Sequence, residues 1–311
     1  MENAMRRLLT AFTVVTATVL MTTGSSLVLA QSTEQQRPTF SAAARLVLVS
    51  VSVRDNRGRP VTGLTREDFQ ILSDDVAHPI EQFRSESSAI TTALLMDQSG
   101  SMQVAANLDA AREAARLLVS WMTPLSDRLG LFMFDTTLTQ PGAFAPVSSD
   151  SLLPLAQLDP YGETSLYDAV DATSAALMTD AAPRRAVVAI TDGLDNASLL
   201  TAAEVSGRAA VIDVPVYIVA VVSPVDHPES GVANARPQTP LAQLAESTGG
   251  QLFVSSTPAH ASVATRTIIS DLRQQYLLAF TADPRPGWHR LTVRTKHHNQ
   301  TVRTRAGYVT R

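Results

Sequence analysis

The sequence contains no cysteine. Disulfides, thiolate metal sites, a cysteine nucleophile and a lipid-modified N-terminal cysteine are all excluded. Nor is there an excess of positive charge: 25 Lys and Arg stand against 29 Asp and Glu, for a net charge of −4. Without a basic footprint no nucleic-acid partner is expected, so partners have to be argued from local sites. Long apolar runs are missing too. The one stretch that approaches a membrane span, residues 8–21, falls short of the ~20 residues a spanning helix needs, and nothing later in the chain comes nearer. What is present is length, since 311 residues can bury one large core or two modest ones without staples.

Arg6 and Arg7 precede the apolar run, and Ser25, Ser26 and then Val28-Leu29-Ala30 follow it. This is the pattern of a secretory signal. Residues 1–30 are expected to be a signal peptide, with an uncleaved anchor as the alternative, and residues 31–44 a polar linker. The mature chain is then expected to be secreted, or held in the periplasm or cell envelope, with no spanning segment of its own.

Three regimes follow the linker. Over 45–88 the pattern is β: Leu46, Leu48, Ser50 and Ser52 alternate with Val47, Val49, Val51 and Val53 until a turn at Asp55-Asn56-Arg57-Gly58. Over 89–275 strands that are apolar on both faces alternate with amphipathic helices. Strands are predicted at 93–96, 131–134, 186–190, 216–222 and 251–254, and helices at 108–122, 165–178, 202–212, 241–247 and 263–274, with a proline-rich loop at 223–240. Such alternation predicts a doubly wound, mostly parallel, Rossmann-like α/β sheet covered on both sides. Over 276–311 strand patterns return, at 276–280, 290–295 and 301–305. Neither flank has enough strands to bury a sheet alone, so the strands from both termini are expected to form one small β-sandwich-like module with the α/β domain inserted between them.

The residues that carry chemistry sit at strand ends. Met96-Asp97-Gln98-Ser99-Gly100-Ser101 lies where a buried strand stops and a helix is about to begin, the place where open α/β sheets bind ligands. Asp97, Ser99 and Ser101 offer a carboxylate and two hydroxyls, and Gly100 is expected to let the backbone turn so that they converge. Hard oxygens of this kind suit Mg2+, Mn2+ or Ca2+ rather than zinc. Three oxygens do not fill a shell, and two further loops can add to it: Gly162-Glu163-Thr164-Ser165-Leu166-Tyr167-Asp168-Ala169 and Thr191-Asp192-Gly193-Leu194-Asp195-Asn196. No histidine falls in the three loops and the chain has no Gly-x-Ser-x-Gly elbow, so no catalytic residue is assigned and an enzyme is not expected.

The ordered set, Asp-x-Ser-Gly-Ser, then Gly-x-Thr-x-Leu-Tyr-Asp-Ala, then Thr-Asp-Gly after a strand, resembles the signature of von Willebrand factor A domains over residues 91–272. The resemblance implies that Asp97, Ser99, Ser101, Thr164 and Asp192 ligate a divalent cation, directly or through water, in a metal-ion-dependent adhesion site. It also implies that an Asp or Glu of a protein partner completes the shell. Glu163 stands where the family usually has glycine; it is either a carboxylate that tunes or occludes the site or a solvated loop residue. Both β flanks are similar to those of a bacterial, acidobacterial-type subgroup of secreted proteins with this domain.

The leading expectation is a secreted, metal-dependent binding or adhesion module. A structural cell-envelope assembly protein with a vestigial site is the alternative, and a metal-assisted hydrolase a third. Residues 285–311 carry seven Lys or Arg and no acid; their spacing at Arg290, Arg294, Lys296, Arg303 and Arg305 is expected to describe the wet face of antiparallel strands. His297-His298 is expected to be a hairpin turn.

Overall fold

The computed structural model describes residues 45–310 apart from 87, 179–181, 183, 194, 212 and 223–238. The expected signal peptide 1–30 and linker 31–44 lie outside the described residues, as does nearly all of the proline-rich loop. In chain order the N-terminal strands are β1 (Leu46–Asp55), β2 (Phe69–Ser73), β3 (Val76–His78) and β4 (Gln82–Arg84). The middle runs β5 (Thr91–Asp97), α1 (Asn107–Ser120), β6 (Arg128–Phe134), β7 (Leu138–Thr139), β8 (Ala145–Pro146), α2 (Leu166–Leu177), β9 (Arg185–Thr191), α3 (Ala202–Val211), β10 (Val216–Val221), α4 (Pro240–Ser247), β11 (Leu252–Ser255) and α5 (Pro258–Arg273). The chain ends with β12 (Tyr276–Thr281), β13 (Gly287–Thr295), β14 (Gln300–Arg303) and β15 (Gly307–Thr310).

The middle elements build a sheet in the order β11-β10-β9-β5-β6-β7, with β8 also on β6. Its four pairings from β11 to β6 are of one kind: β10–β11, β9–β10, β5–β9 and β5–β6 are all parallel, and only the short β7 and β8 run antiparallel to β6. Every residue of β5 and β10 is buried. The reason is coverage on both faces. On one face Met96, Val188 and Val219 pack with Ala115 and Leu118 of α1 and Ile268 and Leu272 of α5. On the other Leu95, Ala189 and Ile218 pack with Val170 of α2, Val205 of α3 and Leu244 of α4. The fold is therefore a doubly wound α/β domain. Its strand order reverses at β5, whose successors β6 and β9 lie on opposite sides, and this switch opens a crevice at the carboxyl ends of β5 and β9.

Helix α5 starts at Pro258, five residues ahead of the expected 263. Thr257 caps it by accepting from the His260 amide at 3.2 Å, and Pro258 takes the first helical position, where its missing N–H costs nothing.

The flanks interleave. One sheet has the order β14-β1-β12-β4 and the other β15-β13-β2-β3, so strands from both ends of the chain occur in each. Val49, Val51, Phe69, Ile71, Leu278, Phe280, Leu291 and Val293 fill the space between them. This is the sandwich-like module, and neither flank could form it by itself. Strand β15 was not anticipated, since Gly307-Tyr308-Val309-Thr310 is too short to carry its own signal; pairing with β13 defines it.

Two of the arginines expected to face solvent turn inward instead. Arg303 and Arg54 of the module both bond the carboxylate of Asp271 on α5, which is buried. Arg305, also buried, reaches the carbonyls of Ala210 (2.6 Å) and Leu48 and lies 3.4 Å from Asp213. The wet-face reading fails here because these strands meet the α/β domain rather than water; Arg290 and Arg294 do remain exposed. Arg184, fully buried, donates to the carbonyls of Glu86, Arg273 and Gln275. It thus ties the segment that enters the α/β domain to the one that leaves it. Burial pulls its pKa below the usual guanidinium value.

Candidate metal centre

Asp97 is the last residue of β5 and is fully buried. Beyond it the chain leaves the sheet: the Gln98 amide still bonds the Phe134 carbonyl at 2.8 Å, but the Ser99 amide turns back to Asp97 Oδ1 at 2.8 Å. This Asx-type turn brings Ser99 Oγ within 3.1 Å of Ser101 Oγ. Gly100 serves close approach rather than an unusual dihedral. Its amide donates to the Gly162 carbonyl at 2.9 Å, and a Cβ here would lie 3.3 Å from that oxygen.

The second loop arrives through the same contact. Gly162 has φ +84°, a left-handed conformation that suits glycine. Tyr161 donates its amide to the Gln98 carbonyl at 2.8 Å. Two residues past Gly162, Thr164 is buried, and its backbone is held from both directions: its amide donates to Asn196 Oδ1 at 2.8 Å, and its carbonyl accepts from the Asn196 and Ala197 amides at 3.1 Å each. No hydrogen bond among the described residues engages its hydroxyl. Glu163 is exposed.

The third loop follows β9. Buried Thr191 donates its hydroxyl to Asp97 Oδ2 at 2.5 Å and accepts from the Gly193 amide at 3.0 Å. Asp192, half-buried, comes next. Burial pushes the Asp97 carboxyl above its ordinary pKa, hydrogen bonds from Ser99 and Thr191 pull the other way, and the Asp192 charge adds to the upward push. Two carboxylates therefore sit within electrostatic reach in a desolvated crevice, an arrangement that a cation relieves.

Of the five residues singled out from sequence, Asp97, Ser99 and Ser101 are gathered by direct hydrogen bonds. Asp192 joins through Thr191 and its field on Asp97, and Thr164 through the Gly100–Gly162 and Thr164–Asn196 links between loops. Thr191 was missed, although as a polar residue ending an apolar strand it carried a signal. Asn196, the last residue of the third loop, is the bridge between two loops. Asp195 accepts from the Tyr167 amide (3.1 Å) and Ser198 Oγ (2.6 Å), and Asp168 from the Leu199 and Leu200 amides (2.9 Å each). Asp171 pairs with Arg208 at 2.7 Å. All three hold loops and helices together.

The donor set fits a hard dication: two carboxylates and three hydroxyls, with no nitrogen or sulfur. Among the described residues no group of three or more His, Cys, Asp and Glu is placed so that it could hold a metal ion by itself. A cation here would accordingly depend on the hydroxyls as much as on Asp97 and Asp192.

Residues 92–194 match the family model described as von Willebrand factor type A domain. No curated protein matches the chain. Among solved structures it is similar to a von Willebrand factor type A protein from Catenulispora acidiphila, at 12% identity and TM-score 0.48, over 87% of this chain and 75% of that one. It is also similar to BatB from Bacteroides thetaiotaomicron, at 17% identity and TM-score 0.45, over 58% of this chain and 97% of that one. A third is proximal thread matrix protein 1 from the mussel byssus, solved with a zinc-occupied MIDAS motif, at 14% identity and TM-score 0.45, over 64% of this chain and 49% of that one.

Proposed function

We propose, from the premise that the chain carries a von Willebrand factor type A domain over residues 92–194, that Asp97, Ser99, Ser101, Thr164 and Asp192 hold Mg2+, Mn2+ or Ca2+ and that the site grips a carboxylate of a protein partner. The observation that carries this reading is the Thr191–Asp97 hydrogen bond at 2.5 Å. It brings the third loop onto the first, so that Asp192 and Asp97 share one crevice. A bound dication supplies a Lewis-acidic coordination position for an anionic oxygen.

The chain's own residues keep that position defined. Thr191 and the Ser99 amide fix the two Asp97 oxygens, leaving the carboxylate one orientation. Asn196 fixes the Thr164 backbone while the hydroxyl stays uncommitted. The module binds rather than catalyses in this reading, because the three loops contain no histidine to serve as a general base. Its place is outside the cytoplasm, on the N-terminal signal pattern; no helix among the described residues is long and apolar enough to cross a membrane.

The test is capture from the extracellular and envelope fractions of the source cell by immobilised protein. Retention of a defined protein that is lost on chelation, restored by magnesium and absent for Asp97→Ala supports the reading. Capture that survives chelation and the substitution contradicts it and favours an envelope assembly role carried by the β strands.

A further inference from the structure

Helix α2 carries no cap of its own. Its N-cap residue, Ser165, makes no side-chain capping bond, although the first amides of an α-helix have no partner inside the helix. The chain just past Asp192 supplies the missing partners. Ser198 Oγ accepts from the amides of Tyr167 at 3.0 Å and Asp168 at 3.2 Å, and Asp195 Oδ2 accepts from the Tyr167 amide at 3.1 Å. Ser198 in turn donates its hydroxyl proton to Asp195 Oδ2 at 2.6 Å. One donor and two lone pairs are all that a serine hydroxyl has, so Ser198 Oγ is fully committed and is not itself a cation ligand.

The lacing is reciprocal. Asp168, in the first turn of α2, accepts from the Leu199 amide on one oxygen and from the Leu200 amide on the other, both at 2.9 Å. Just ahead of the helix, Asn196 Oδ1 accepts from the Thr164 amide, and the Thr164 carbonyl accepts from the Asn196 and Ala197 amides. Both polar groups of the Thr164 backbone are therefore bonded to one segment, 195–200. The rest of the candidate donor set is placed differently: Asp97 ends β5, Ser99 and Ser101 follow it closely, and Asp192 directly follows β9. Thr164 has no strand beside it in sequence, since the 3-10 turn Leu153–Gln157 precedes it and α2 follows.

We infer that Asn196 and Ser198 are positioning residues of the cation site. They do for Thr164 what the strand ladders do for Asp97 and Asp192: Asn196 holds its backbone, and Ser198 holds the first turn of the helix that begins at Leu166. The Thr164 hydroxyl is thereby set for the ion by residues outside the donor set. This rests on the metal-dependent reading above and goes past it, because cation affinity then depends on side chains up to Ser198. A neutral hydroxyl draws a dication less strongly than a carboxylate does, so its contribution depends on being in place before the ion arrives.

The test is calorimetric titration of the full chain with Mn2+, run beside backbone amide exchange of the metal-free protein. Asn196→Ala and Ser198→Ala should each weaken Mn2+ binding about 10–100-fold, the range for residues that hold metal ligands in place. Asn196→Asp and Ser198→Thr, which keep an acceptor oxygen at the same position, should recover most of the affinity. Without metal, the Thr164 amide should exchange faster in Asn196→Ala, and the Tyr167 and Asp168 amides faster in Ser198→Ala. Asp171→Ala, which breaks the pair between α2 and Arg208 of α3, removes support from the same helix and should leave both readouts unchanged. Should one alanine variant fail to fold, the other decides. Wild-type Mn2+ affinity in the folded alanine variants, or an equal fall in Asp171→Ala, overturns the inference while the metal reading stands. If the wild type does not bind Mn2+, the metal reading fails and the inference with it.

Discussion

Replacing Asp271 by Ala should separate the two halves of this protein energetically. Asp271 lies on α5 with its carboxylate buried, and its partners Arg54 and Arg303 come from β1 and β14, strands contributed by opposite ends of the chain. Truncation leaves two largely buried guanidinium groups without their counter-charge, and breaking a buried ion pair in this way costs about 3–5 kcal/mol. With a urea slope of about 3 kcal/mol/M for a chain of this size, the midpoint should fall by roughly 1–1.7 M. The molecule supplies a reporter for each half: Trp121 follows α1 in the α/β domain, and Trp288 lies in β13 of the module. In the wild type, single-tryptophan versions should unfold together; with Asp271→Ala, the Trp288 transition should precede that of Trp121. Asp271→Asn, which keeps one acceptor oxygen, should cost less. A midpoint shift under about 0.3 M, corresponding to less than about 1 kcal/mol at that slope, with coincident transitions, would refute the claim that this cluster joins module and domain.

Other perturbations test separate parts of the account. The buried His289 has Nδ1 2.8 Å from Asp74 Oδ2 and Nε2 2.8 Å from the Arg285 carbonyl, so both nitrogens face acceptors, and its pKa is raised, first by the Arg285 carbonyl and then by Asp74. Since the folded pKa exceeds the unfolded one, this stabilisation is complete below the unfolded value near 6.5 and is lost as pH rises through the folded value; thermal melts should show the decline in wild type and its absence in His289→Gln. Gly250→Ala places a Cβ 2.0 Å from the Val216 carbonyl oxygen, a backbone collision that should cost about 3 kcal/mol in urea unfolding. Thr191→Val removes the hydroxyl that orients Asp97 and accepts from the Gly193 amide; it should weaken cation affinity about 10–100-fold by calorimetry and cost about 1–3 kcal/mol in urea unfolding, since buried partners lose their bond.

Much of this arrangement is legible from local pattern. Apolar runs such as 93–96 and 186–190 declare buried parallel strands, and Asp97, Ser99, Ser101 and Asp192 lie at or just past the ends of β5 and β9 because strand ends are where an open sheet presents side chains to a crevice, whereas Thr164, expected at a strand end as well, lies between a 3-10 turn at Leu153–Gln157 and α2. What local pattern does not carry is the far side of each contact. Arg303 and Arg305 share the spacing of solvent-facing strand residues, and only the docking of the module against α3 and α5 turns them inward. Arg184 carries no motif, because its three partners are carbonyls distributed over 86–275. Thr191 and Asn196 work by holding other residues, and the side chains they hold are distant in sequence.

The central claim is that three loops, two of them at the ends of β5 and β9, assemble a cation site, and calorimetric titration of the full chain with Mg2+ and Mn2+ tests it most directly. One site per chain, abolished in Asp97→Ala and in the less buried Asp192→Ala while both variants keep their circular dichroism, is the predicted result. Absence of binding in the wild type, or binding that survives both substitutions, would contradict it.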